Sequence, residues 1–182
     1  MTAEPGSSSR EAPSRAPLRV ALGAGLLLAL GALACSSPPP RTANPTRPLD
    51  ERRAIEIILG AFADERDQPV AGRRVAVALG KQLEIDVSAK GKKYGVAYVT
   101  INEREALGPA LPPRDPSMGD ALQLVSGLGV DGDARVLVLH DTEYLYDDHV
   151  GEEHEETAVT AELKLRRDVR DFLVRAHAEN WP

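Results

Sequence analysis

Apolar positions follow three different rhythms along the chain. Val20 to Ala34 (VALGAGLLLALGALA) is an unbroken uncharged run behind Arg10, Arg15 and Arg19. As a helix it reaches about 22 Å, short of the roughly 30 Å of a hydrocarbon core, so it fits a signal-peptide apolar region over residues 1–34. Ser36 to Pro48 has no apolar period and is rich in proline. Residues 35–48 are therefore expected to form a solvated tether, at most roughly 40 Å at polyproline rise. From Leu49 onward the periods become those of a folded body, expected to be a single domain over 49–182.

In that body Leu49, Ile55, Ile58, Leu59 and Phe62 recur at helical spacing, with Asp50 and Glu51 suited to a first turn and Pro69 and Gly72 beyond the end. Three alternating segments follow. Arg74–Leu79, Gln82–Val87 and Lys93–Ile101 predict strands joined by short turns at Gly80-Lys81 and Lys90-Gly91-Lys92, an antiparallel three-stranded meander. Asn102–Glu105 predicts a short helix stopped by Gly108-Pro109, and Asp120–Leu128 another with Leu122, Val125 and Leu128 on one face. Arg135–His140 (RVLVLH) is continuously apolar, as a strand buried on both faces must be. The connection before it is long enough for a crossover, allowing it to run parallel to the third strand. Ala158, Ala161, Leu165, Val169, Phe172 and Ala176 keep helical spacing, while Val159, Ala161, Leu163 and Leu165 also alternate; helix propensity favours one helix to about Glu179. The expected class is α+β: a meander and a fourth buried strand, packed by an N-terminal and a long C-terminal helix.

The run at Val20 ends in Ala32-Leu33-Ala34-Cys35-Ser36, and Cys35 is the sole cysteine. In this leader the chain resembles bacterial lipoproteins, whose lipobox ends in a small residue before a cysteine that is lipidated and becomes the mature N-terminus. The resemblance implies acyl chains on Cys35, stable membrane anchoring through them, and, with Ser36 following, an outer-membrane destination facing the periplasm. Ala32-Leu33-Ala34 also reads as the cleavage site of ordinary secretion.

Charge divides the chain in the same place. The whole carries -6, but residues 1–48 hold five Arg against Glu4 and Glu11, leaving the remainder at -9. A surface this acidic repels phosphate backbones, so a nucleic-acid partner is not expected. Aromatics are only 4% of the chain, so the core falls mainly to Val, Leu, Ile and Ala.

Asp141–Glu156 concentrates the candidate chemistry, with many carboxylates, His149 and His154, and no Lys or Arg. Asp147, Asp148, His149, Glu152, Glu153 and His154 are the donor types a divalent cation takes, carboxylates favouring calcium and imidazoles zinc or copper. The spacing completes neither H-E-x-x-H nor H-x-x-E-H. The competing reading is a solvated loop whose carboxylates run into a helix N-terminus. Gly127-Leu128-Gly129-Val130-Asp131-Gly132 matches G-x-G-x-x-G, yet a strand is expected after it rather than before, so it reads as a turn and no dinucleotide is implied. His140 and Asp141 end the buried strand but point to opposite faces. Glu84 and Asp86 share a strand face and could pair as carboxylates, though the more ordinary reading is a wet sheet face answered by Lys93 or other basic side chains across the hairpin. The basic turn Lys90-Gly91-Lys92-Lys93 suits a soluble hairpin, and Trp181 either caps the core or presents an anchor.

No catalytic motif is complete. The sequence therefore points to a non-enzymatic, membrane-anchored envelope module with a protein or cell-wall partner and no cofactor. The alternative is a cation-binding domain or metal-dependent hydrolase using residues 141–156.

Overall fold

A computed structural model describes residues 45–113, 122–147 and 156–182. The chain enters through strand β1 (Thr46–Pro48), turns at Leu49 and starts helix α1 (Glu51–Asp64). Asp50 begins the helix by accepting the Arg53 N–H at 3.3 Å. Six strands and a helix follow in the central part of the chain: β2 (Pro69–Ala71), β3 (Arg74–Ala78), β4 (Lys81–Glu84), β5 (Val87–Ala89), β6 (Tyr94–Val99), α2 (Ile101–Leu107) and β7 (Leu124–Ser126). The chain then forms β8 (Arg135–His140), β9 (Leu145–Asp147) and the long helix α3 (Ala158–Ala178). The described residues are thus mixed α+β with a long C-terminal helix.

The main sheet has the order β2-β5-β6-β8-β7. Its two central strands run parallel, from Tyr94 opposite Arg135 to Val99 opposite His140. Every residue of β6 is buried, and β8 is buried from Val136 to His140. Both faces are covered, which is why these strands lack a polar alternation. On one face Tyr94, Val96, Tyr98, Leu137 and Leu139 pack against α1 and α3. On the other, Ala97, Val99, Val136 and Val138 meet Val75, Leu83, Ile85 and Leu107 from the β3–β4 hairpin and α2. The central sheet therefore lies between a pair of helices and a hairpin-plus-helix layer.

The long helix follows the one-face pattern. Ala161, Leu165, Val169, Phe172 and Ala176 are buried while Val159 and Leu163 are exposed, so helical spacing prevails over alternation. One polar group joins that face: Asp168 accepts the buried Tyr144 hydroxyl at 2.9 Å and the Arg167 guanidinium at 3.0 Å.

Three expectations change. The segment Gln82–Val87 is divided: β4 pairs with β3, whereas β5 pairs with β6 and β2. The chain passes from the β3–β4 hairpin to the main sheet at Ile85, whose N–H donates to the Arg73 carbonyl at 2.9 Å. Gly72 permits that crossing, because a Cβ there would lie 1.2 Å from the Ile85 carbonyl oxygen. Within Asp120–Leu128, where a helix was expected, residues 124–126 form β7, with Val125 opposite Val136. Pairing with the exposed edge of β8 outweighs a short helical period that runs into Gly127 and Gly129. Finally, Thr46–Pro48, expected to be tether, pair antiparallel with β9, Thr46 opposite Asp147 and Pro48 opposite Leu145.

Candidate functional site

Cys35, Asp148, His149, Glu152, Glu153 and His154 lie outside the described residues. Asp147, the remaining candidate metal ligand, is buried in β9 and donates its backbone N–H to the Glu156 carbonyl at 2.9 Å. Among the described residues no group of three or more His, Cys, Asp and Glu side chains is placed to hold a metal.

The other sequence candidates resolve into local structural roles. His140 shares a 2.7 Å hydrogen bond with Gln123, while Asp141 accepts the Ile101 N–H at 3.2 Å and so steadies the first turn of α2. The two side chains thus serve different neighbours. The glycine-rich run forms the turn between β7 and β8: Gly127 donates to the Ala134 carbonyl, and Gly129 sits at φ 65°. Lys93 pairs with Asp133 at 3.0 Å rather than with Glu84 or Asp86. Trp181 packs on Phe172 and Tyr94, with ring centroids 5.6 and 6.4 Å away, and caps the core.

Glu84 and Asp86 part company in an informative way. Because the chain joins the main sheet only after Ile85, the Tyr98 N–H lacks the carbonyl that a longer β5 would supply. The Asp86 carboxylate takes that place, accepting the Tyr98 N–H at 2.7 Å, while its own N–H donates to the Val96 carbonyl at 2.9 Å. Asp86 is thereby held beside the C-terminal half of β6, where β6 and β8 end and α2 begins. In open sheets that end of parallel strands is where crevices form.

A cleft of about 390 Å³ opens at this point, bounded by the β3–β4 hairpin, Tyr98 and Val99 of β6, and α2. Leu83, Val99 and Leu107 are buried beneath it. Thr100 and Glu103 fix the wall formed by α2: the Glu103 carboxylate accepts from the Thr100 N–H at 2.9 Å, and the Thr100 side chain accepts the Glu103 N–H. Arg74 pairs with Glu84 at 3.2 Å, and Lys81 donates to the Ala106 carbonyl at 2.5 Å. No Lys or Arg among the described residues pairs with Asp86. Burial pushes its carboxyl up to about 6, against the pull of the Tyr98 N–H, and the nearby Glu51, Glu103 and Glu84 raise it further. Burial likewise keeps the Tyr98 hydroxyl protonated far above neutrality, and it donates to the Leu49 carbonyl at 3.0 Å.

Sequence periodicity marked Glu84 and Asp86 as a wet sheet face. It missed that Asp86 and α2 line one cleft. The available signal was Thr100-x-x-Glu103, a capping box that starts a helix directly at the end of β6.

Comparison with known proteins gives no match: no family model, no curated protein and no solved structure matches the chain.

Proposed function

We propose that this protein is a lipid-anchored module of a bacterial cell envelope, carried on Cys35 at the outer membrane and facing the periplasm. Its folded body binds or scaffolds an envelope protein or cell-wall partner rather than catalysing a reaction. One observation carries the anchoring: the sole cysteine directly follows an apolar run too short to span a bilayer and preceded by three arginines. Because β1 already belongs to the folded body, the linking stretch runs only from Ser36 to Pro45, at most about 36 Å when fully extended. Among the described residues, the cleft beside Asp86 is suited to recognition. It combines an apolar floor with a few fixed polar groups, the usual composition of a ligand site.

Mass spectrometry of the mature N-terminus tests the anchor. The expected product begins at Cys35 and carries a thioether-linked diacylglyceryl group and an amide-linked acyl chain. Cys35→Ala should move the protein from the detergent phase to the aqueous phase. An unmodified Cys35 thiol, or an intact leader in the cytosol, overturns the proposal.

A further inference from the structure

Around the cleft one ion pair forms, and the other charged side chains are held by uncharged hydrogen-bond partners. Arg74 on β3 is committed to Glu84 on β4, and the Lys81 ammonium to the last turn of α2. Glu103 on α2 caps its own helix through Thr100. Two carboxylates thus lack a cationic partner among the described residues, Glu103 and the more enclosed Asp86, which has a backbone N–H on one side and Glu84 and Glu103 lining the same cleft. Glu51 on α1 adds a further negative contribution. The cleft's five ionisable side chains apart from tyrosine are Arg74, Lys81, Glu84, Asp86 and Glu103, a formal balance of -1 when all are charged.

From this geometry we infer that the cleft binds an alkylammonium group, a primary amine on a short aliphatic chain, with the amine at Asp86 and the chain along Leu83, Val99 and Leu107. This inference rests on the reading of the folded body as a binding module, and it names the chemistry that module accepts. An anion would meet three carboxylates whose neighbouring cations are already engaged. A neutral chain would leave Asp86 without a countercharge. An ammonium supplies the missing charge, while its methylenes cover the apolar floor, as lysine stems do on protein surfaces. Burial and like charges already disfavour the ionised carboxylate, so a cation arriving there relieves a penalty present before binding.

The Tyr98 amide reports on the site because its N–H donates to Asp86. Its nuclear magnetic resonance shift, followed in the full-length protein in detergent micelles, should titrate with a midpoint near 6. Saturating 1,5-diaminopentane should lower that midpoint to 5 or below, because the amine binds the ionised form. Affinity should fall about tenfold for each pH step of one below the midpoint. Nα-acetyl-lysine methylamide provides the second arm. Tighter binding of this probe assigns the amine to a peptide-borne lysyl side chain; tighter binding of the diamine assigns it to a free polyamine.

Asp86→Asn keeps an oxygen for the Tyr98 N–H and should weaken both probes at least tenfold. The wild-type midpoint shift tests the same point should that variant fold poorly. A midpoint left unchanged by both amines overturns the inference, as does equal binding by Asp86→Asn. Stronger perturbation by pentanoate, 1-pentanol or Ca²⁺ overturns the amine chemistry while leaving the cleft as a binding site. None of these outcomes alters the mass of the mature N-terminus, so anchoring is judged separately.

Discussion

Asp86 should make the folded protein less stable at neutral pH than an uncharged side chain would. The perturbation is Asp86→Asn, which preserves size and the acceptor for the Tyr98 N–H. Its carboxyl stands at about 6 in the folded protein against an ordinary 3.8. If the whole difference reached folding, ionising it at pH 7.5 would cost about 3 kcal/mol. The group retains some contact with solvent, and screening reduces the expected effect to about 1–2 kcal/mol. The direction follows from proton binding. Between about pH 4 and 6 the folded state holds a proton at Asp86 that the unfolded state has released, so stability from this group declines as pH rises through that window. Above about pH 7 the loss is complete; below about pH 4 it is absent. Urea unfolding of the two proteins should therefore show the variant more stable at pH 7.5, with its midpoint higher by about 0.5–1 M for a slope of about 2 kcal/mol per M. The two curves should converge near pH 3.8. A variant equal to or weaker than the native protein at pH 7.5, or a gain that persists at pH 3.8, would refute the electrostatic reasoning.

Two further expectations concern the layers on either side of the sheet. Asp168→Ala strands the Tyr144 hydroxyl in the core and should cost about 1–3 kcal/mol, whereas Tyr144→Phe leaves Asp168 its Arg167 contact and should cost about 1 kcal/mol. The double variant should cost less than the two single changes together in chemical denaturation, and strict additivity would show that the bond carries no coupling. Gly95→Ala introduces a Cβ 2.6 Å from Ile85 Cγ2 and 2.7 Å from the Val87 carbonyl oxygen. It should lower stability by about 1–3 kcal/mol in thermal or urea unfolding, and an unchanged midpoint would mean that β5 yields there without strain.

Residues with a single strong period were readable in advance. The faces of α1 and α3 follow from Ile58, Phe62, Leu165 and Phe172, and the double-sided burial of β8 follows from its continuous apolar run. Competition between local pattern and long-range pairing was not readable. Leu122, Val125 and Leu128 carry a helical spacing, yet Val125 finds Val136 and becomes part of an edge strand. Likewise, nothing in the alternation of Gln82–Val87 reveals that the chain changes sheets at Ile85, because inward and outward positions continue undisturbed across the break. Asp86 was visible as a carboxylate on a strand. Its place in a cleft was not, because another wall of that cleft, α2, comes from residues that follow β6.

Under the proposed anchoring at Cys35, the pairing of β1 with β9 has a mechanical consequence. Tension drawn through the residues before Thr46 falls first on a three-residue ladder, whose bonds can open in succession. The next hold is firmer, since Leu49 is buried, donates to the Tyr144 carbonyl at 3.0 Å and accepts the Tyr98 hydroxyl. Strain on that segment would release about 10 Å of chain before it reaches the sheet, a small extensible reserve at the entry to the folded body.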